Sequence, residues 1–213
     1  MVGEPRIGVL ALQGGVAEHL DLLTGLGADA VRVRTPADLD GLTGIVLPGG
    51  ESSTIDRLLR MFELSEPLRD LIVGGLPTLA TCAGLITLSD TIEDPAPGQR
   101  TLGLLDITVR RNAFGAQVVS EEATVDTADG PVRAAFIRAP IVIRVGSGVE
   151  VLARHRGQVV GVRTATVTAV AFHPELTGDA TLHRWLLDTR PFAGTPTGWE
   201  KLYWLHEDSH QPS

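Results

Sequence analysis

Cys82 is the only cysteine in 213 residues. It stands in Pro77-Thr-Leu-Ala-Thr-Cys-Ala-Gly-Leu85, where an apolar stretch ends in small residues and a helical pattern begins. A strand-turn-helix junction of this kind exposes a nucleophile at the top of a strand, and the start of the next helix favours a thiolate. Ninety-one residues later, Ala171-Phe-His-Pro-Glu-Leu176 places His173 two positions before Glu175. A thiol, an imidazole and a carboxylate supply a nucleophile, its base and the group that orients the base. A lone Cys in an α/β protein is usually a small buried apolar residue, and His-Pro-Glu alone is a weak signal. Two things tip the balance toward covalent catalysis. Thr81, Ala83 and Gly84 are small enough to let a carbonyl carbon approach, and an acid accompanies the imidazole.

Other segments could serve such a nucleophile. Pro48-Gly-Gly-Glu-Ser-Ser-Thr54 lacks the Gly-Lys-Ser/Thr ending of a phosphate loop. It reads better as a glycine pair whose amides face the nucleophile. Gly50 would join an oxyanion hole with the first amide of the helix after Cys82, that of Ala83. Glu51 and Ser52 would meet a polar substrate. Arg111, in Arg110-Arg-Asn-Ala-Phe-Gly115, and Arg138, in Phe136-Ile-Arg-Ala-Pro140, sit at strand ends beside small or aromatic residues. There a guanidinium can hold a substrate carboxylate bidentately. The remaining histidines, His19, His155, His183, His206 and His210, have no comparable acid partner and read as solvated or structural, His19 least securely.

These residues need elements that position them. Arg6 to Leu12 reads as a buried strand broken by Gln13-Gly-Gly15. Val16, Leu20, Leu23 and Leu26 then recur at helical spacing. Strands follow at 30–34 and 44–48. Ser52 and Ser53 are expected to cap a helix carrying Ile55, Leu58, Leu59 and Phe62. Another helix covers 64–73, and a short strand at 77–80 leads to Cys82. This alternation predicts an α/β fold with a mostly parallel central sheet and helices on both faces, its site beyond the carboxyl ends of the strands. In the second half, strands are expected at 99–111, 132–138, 149–154, 159–163 and 167–172, and a helix at 180–187. A Pro/Gly/Thr-rich linker at 189–198 precedes a helical face of Trp199, Leu202, Tyr203 and His206. The expected organisation is one domain over 1–188 and an extension over 189–213.

Composition excludes several classes. A net charge of −8 argues against nucleic acid or an anionic membrane surface as the main partner. No apolar run reaches membrane-spanning length, and the first residues lack a signal-peptide pattern. A single cysteine suits a reducing cytoplasm. No Cys or His pairs stand at metal spacing, so neither metal nor cofactor is expected.

Taken together, the segments resemble the class I, triad-type glutamine amidotransferases. More narrowly, they resemble the glutaminase subunits of pyridoxal 5′-phosphate synthase. The resemblance rests on Gly8-Val-Leu-Ala-Leu-Gln-Gly14 with Glu18-His19, Leu47-Pro-Gly-Gly-Glu-Ser-Ser-Thr54, Thr81-Cys-Ala-Gly84, Leu102-Gly-Leu-Leu105, Arg111-Asn-Ala-Phe-Gly115 with Gln117, Phe136-Ile-Arg-Ala-Pro140 and Phe172-His-Pro-Glu-Leu-Thr177. It implies a flavodoxin-like three-layer sandwich. It also implies a reaction in which Cys82 attacks the side-chain amide of L-glutamine, His173 shuttles protons and Glu175 orients it. The implied glutamine contacts are Gly50, Glu51, Ser52, Arg111, Ile137 and Arg138. The implied partner is a barrel-fold synthase subunit, arranged as a ring decorated by glutaminases. That subunit would take the ammonia to make pyridoxal 5′-phosphate, and Gln13-Gly14 and the first helix would lie near the contact.

Three departures from the family pattern stand out. Ala80 replaces the usual Gly two residues before the thiol, so its methyl is either absorbed by the core or displaces the nucleophile; a 1 Å error costs about a hundredfold in rate. Ala17 stands where the family often carries Arg, removing one partner contact. The chain also continues past the usual end. The alternatives are a glutaminase serving another acceptor and a weakly active or non-catalytic regulatory partner.

Overall fold

The computed structural model describes residues 4–113 and 121–189. The expected helix around Trp199 to His206, and Phe114, Gly115 and Gln117, lie outside the described residues. The chain opens with strand β1 (Arg6–Leu10), helix α1 (Val16–Gly25), β2 (Asp29–Val33) and β3 (Gly44–Leu47). Then come α2 (Ser52–Met61), α3 (Ser65–Val73), β4 (Thr78–Thr81) and α4 (Ala83–Leu88). The second half holds β5 (Ser89–Ile92), β6 (Leu105–Arg110), β7 (Glu121–Thr127), β8 (Gly130–Phe136), β9 (Ile141–Val145), β10 (Glu150–His155), β11 (Gln158–Arg163), β12 (Val167–Val170) and α5 (Thr181–Asp188).

Every residue of β3, β4 and β12 is buried. That is the signature of central parallel strands covered on both faces. Along β3 the side chains alternate. Ile45 and Leu47 join an apolar cluster with Ile55, Leu59 and Leu68 from α2 and α3. Val46 joins the opposite cluster with Leu20 and Leu23 of α1 and Leu182 and Leu186 of α5. The result is three layers, helices on either side of one sheet.

The sheet runs β2-β1-β3-β4-β12-β11-β10-β7-β8. Pairing is parallel from β2 through β12 and antiparallel beyond β12. A side branch of β5, β6 and β9 joins at β11. Because β1 is flanked by β2 on one side and β3 on the other, the strand order reverses there. Connections leaving β1 and β3 therefore diverge, and ligands bind at such switch points beyond the strand ends. Gln13, Gly49 to Ser52 and Cys82 all follow these ends, as their sequence positions predict.

Several details differ from expectation. The cap of α2 is Glu51, whose carboxylate accepts from the backbone N–H of Ser53 and Thr54 at 3.3 and 2.8 Å. Ser52 is already inside the helix, and Phe62, expected on its apolar face, is exposed. The strand expected from residue 99 begins at Leu105, because Gln99 closes a turn on Ala96 O. The strand β7 was not anticipated. Its Glu-Glu-Ala-Thr-Val-Asp-Thr sequence has weak β propensity, and full-length pairing with β8 holds it in place. No helix among the described residues is long and apolar enough to cross a membrane.

Ala80 is fully buried in the same cluster as Leu47 and Ala169, so its methyl is packed in the core. Gly84 has no such room, since a Cβ there would overlap the carbonyl of Leu47 in β3. A Gly84→Ala variant is expected to lose about 1–3 kcal/mol of stability through forced backbone shifts. Thermal or urea unfolding checks this; an unchanged midpoint would contradict the close packing of α4 on β3.

Candidate active site

Cys82 forms the elbow between β4 and α4 with φ 46° and ψ −101°, a strained backbone for a residue with a side chain. Its N–H donates to Val170 O at 2.8 Å, which anchors the elbow to the end of β12. The thiol residue is buried, at 7% exposure. Ala83 is the first residue of α4 and fully buried.

The parallel pairing of β12 with β4 brings the chain out of β12 beside this elbow. After two fully buried residues, Ala171 and Phe172, it reaches His173. Phe172 packs on Phe136 of β8 with centroids 5.5 Å apart. The backbone of His173 exchanges hydrogen bonds with Ala135, its N–H donating at 2.9 Å and its carbonyl accepting at 3.3 Å. Core and backbone together fix where the imidazole sits.

The imidazole lies between two partners. Nδ1 meets Glu175 Oε1 at 2.6 Å, and the Cys82 side chain is near enough to act on the charge of the ring. Burial lowers the His173 pKa, but the hydrogen bonds and charges of Cys82 and Glu175 outweigh it and raise it to about 10. The Gly49 Cα packs against the ring so closely that a Cβ there would overlap Cε1. Glu175 opens a single 3₁₀ turn, Glu175–Thr177, and its side chain is fully buried.

A polar network surrounds the loop after β3. The Glu51 N–H donates to Gln13 Oε1 at 2.6 Å, and Gly15 N–H to Gly49 O at 3.2 Å, so the loops after β1 and β3 are bound together. Gly14, at φ 102°, touches the Gly49 carbonyl where any side chain would clash. Arg111 donates to Gln99 Oε1 at 2.8 Å and to Glu51 Oε1 at 3.4 Å. Gln99 Nε2 donates to Ser52 Oγ at 3.0 Å. Burial raises the Glu51 pKa, but hydrogen bonds from Ser53 and Thr54 hold it down at about 2. Ile137 and Arg138 are exposed on the turn after β8, with Arg138 at φ 45°. The Ala113 N–H donates to Ala139 O at 3.2 Å, tying this turn to the Arg111 loop. Glu51, Ser52 and Arg111 thus share one network, Gly50 lies against Gln13 beside it, and the loop carrying Ile137 and Arg138 is joined to the Arg111 loop.

Sequence reading missed part of this centre. His19 and His183, read there as structural or solvated, are completely buried behind Glu175. The His19 Nδ1 faces His183 Nε2 at 2.8 Å. Its Nε2 lies 3.5 Å from Glu175 Oε1 and 3.3 Å from Thr81 Oγ1. Thr81 Oγ1 in turn accepts from Gly49 N–H at 3.0 Å. Gln99 was missed too, since it had been placed in a strand. The available signals were His19 beside Leu20 and Leu23 on the buried face of the first helix, and His183 one residue after Leu182 of α5.

The geometry is that of a cysteine hydrolase with an imidazole and a supporting acid. A family model described as the SNO glutamine amidotransferase family matches residues 9–190. The chain belongs to that family. It is a glutamine amidotransferase. Among its relatives is the pyridoxal 5′-phosphate synthase subunit PdxT of Cutibacterium acnes, 57% identical over 193 residues, covering 85% of this chain and 96% of that protein. The protein of the same name from Corynebacterium glutamicum is 56% identical over 187 residues, covering 84% of this chain and 94% of that one. A crystal structure of a glutamine amidotransferase matches with a TM-score of 0.81 and 44% identity, covering 86% of this chain and 97% of that one. PurLQS from Thermotoga maritima shares the fold at a TM-score of 0.67 and 15% identity, covering 87% and 99%.

In this amidotransferase, the buried histidines make stability depend on acid. Burial lowers His183 to about 4, with Asp179 opposing, and burial together with the charges of His183 and His173 holds His19 well below its ordinary value. Between pH 6.5 and about 4 the unfolded chain binds a proton at position 183 that the native state refuses, so stability falls as pH falls. The effect of His183 is about 2 kcal/mol between pH 7 and pH 5. Urea unfolding at those two pH values checks it, and His183→Leu should reduce the difference by about that amount, leaving the share of His19. An equal pH dependence in that variant would rule out His183 as the source.

Proposed function

We infer that this amidotransferase hydrolyses L-glutamine to L-glutamate and ammonia, with Cys82 as nucleophile. The supporting observation is the 2.6 Å contact of the His173 ring with the buried Glu175, on the chain that leaves β12 beside the Cys82 elbow. Cys82 Sγ attacks the side-chain carbonyl carbon of glutamine, giving a tetrahedral oxyanion. The amides of Gly50 and Ala83 stabilise that oxyanion; one such donor is worth about a hundredfold to a thousandfold in rate. His173, protonated in the resting pair, gives its proton to the departing nitrogen, and the C–N bond breaks to leave a glutamyl thioester and ammonia. The neutral ring then takes a proton from water, which attacks the thioester and releases glutamate and the thiolate. Glu175 keeps Nδ1 protonated and offsets the imidazolium charge.

The substrate's amino-acid end meets the polar side of the pocket. Arg111 and Arg138 suit its carboxylate, and Glu51, held ionised, suits its ammonium group. Ser52 and the Ile137 backbone complete the contacts carried over from the family. The ammonia goes to a synthase subunit of pyridoxal 5′-phosphate synthase, the name borne by the relatives that match nearly full length. Docking is expected near Gln13, Gly14 and α1. Support comes from Gln13 itself, which follows β1 and accepts from the Glu51 amide.

Ammonia release from glutamine should be weak for the chain alone, stimulated by the synthase subunit, and absent in Cys82→Ala and His173→Ala. Stimulated turnover that survives Cys82→Ala would remove Cys82 from the mechanism. Binding of the synthase without any turnover would support a regulatory role instead. The pH profile adds a second check. Activity should fall as pH rises through about 10, where His173 loses the proton it gives to the leaving group. In Glu175→Gln this limb should move to lower pH, because a hydrogen bond and a charge that hold the proton are weakened. A limb that stays in place would take Glu175 out of the orienting role.

A further inference from the structure

Behind Glu175 lies a pair of histidines that the reaction above does not use. His19 comes from α1 and His183 from α5, and both are completely buried. Their rings are tilted at 40° with centroids 5.1 Å apart, joined by the 2.8 Å contact of His19 Nδ1 with His183 Nε2. The other His19 nitrogen points to Glu175 Oε1 at 3.5 Å and Thr81 Oγ1 at 3.3 Å. His183 Nδ1 has no hydrogen-bond partner among the described residues.

That orphan assigns the tautomers. An unpaired buried lone pair is tolerated better than an unpaired buried N–H. His183 Nδ1 is therefore the bare nitrogen and Nε2 carries the proton. Nε2–H donates to His19 Nδ1, which leaves the His19 proton on Nε2, facing Glu175 and Thr81. The opposite arrangement would bury an orphan N–H on His183 and aim a lone pair of His19 at a carboxylate oxygen, which only accepts. Both rings are neutral in this arrangement. Their low affinity for protons agrees with it: burial lowers both, His183 and His173 lower His19 further, and Asp179 only opposes the shift of His183. Every N–H of the chain His183, His19, Glu175 points the same way, toward the acid. Glu175 Oε1 thus receives His173 Nδ1–H from one side and is approached by His19 Nε2–H from another.

We propose that His19 and His183 are positioning residues, a buried neutral pair that holds the Glu175 carboxylate, and through it the His173 ring, in line with Cys82. Through Thr81, which accepts from the Gly49 amide, the same ring also steadies the glycine that packs on His173. His183 touches neither Glu175 nor the site of reaction, so its influence passes through the His19 tautomer. This rests on the reading of Glu175 as the orienting acid.

The test compares His183→Leu with His183→Gln in the full chain assayed with its synthase subunit. Leu removes the donor that sets the His19 tautomer; Gln keeps an N–H near the Nε2 position. His183→Leu should lower kcat about tenfold to a hundredfold, as for a misplaced catalytic group. KM should stay within about twofold, because only the transition state is affected. His183→Gln should recover most of the loss. Equal kcat in the two variants, or a loss carried by KM, would overturn the proposal. Nitrogen-15 NMR of the histidine rings in the unmodified protein gives an answer even if a variant folds poorly. Neutral rings protonated at Nε2 are expected for both His19 and His183, and an Nδ1-protonated His19 would overturn the proposal. Glu175→Gln separates the two levels. If it keeps full activity, the triad reading fails. If it loses activity while His183→Leu does not, only the positioning role fails.

Discussion

One buried carboxylate oxygen, Glu175 Oε1, holds the centre together. Its 2.6 Å contact with His173 Nδ1 orients the imidazole, and His19 approaches it from the far side. A buried carboxylate needs donors, because its desolvation is otherwise too costly. Meeting that need draws α1, α5, the end of β4 and the turn after β12 to one point. Cys82, His173, His19 and His183 come from four separate stretches of chain, so no single element could have formed the site alone.

The second requirement is close backbone approach. Gly14 lies on the Gly49 carbonyl, Gly49 lies on the His173 ring, and Gly84 lies on the Leu47 carbonyl. A side chain at any of these would push apart surfaces that must touch. Strain accompanies the closeness: Cys82, Asn112 and Arg138 are among the residues that adopt positive φ without being glycine. Such conformations persist only where the surrounding structure over-determines them. Here the anchor for Cys82 is the β12 carbonyl of Val170, and for the Arg138 turn it is the backbone bond from Ala113 to Ala139. The rigid parallel sheet supplies the fixed ends from which these strained loops are hung.

Much of this was legible in the order of residues. Apolar runs at β1 and β3 and the small, apolar-rich stretch of β4 announced buried strands, and the small residues around Cys82 announced its elbow. Cys82, His173 with Glu175, the glycine pair and the two arginine turns all lie at strand ends, where such a sheet collects its chemistry. The acidic strand β7 was not legible, because only its pairing with β8 compensates for its composition. The cap of α2 went to Glu51 rather than to a serine, because an extended backbone lets the longer carboxylate reach two amides and Arg111 as well.

The sequence by itself determined the chemical parts and their compartments in the fold: one thiol after a strand, one His-Pro-Glu, and glycines and arginines at strand ends. Only the tertiary structure decided which groups stand behind them. His19 and His183 are 164 residues apart and have no local signature. They become partners because α1 and α5 pack on the same face of the sheet. Side-chain periodicity reports which way a residue faces within its own element. It says nothing about which other element will face it there, and that is where this active site acquires its inner support.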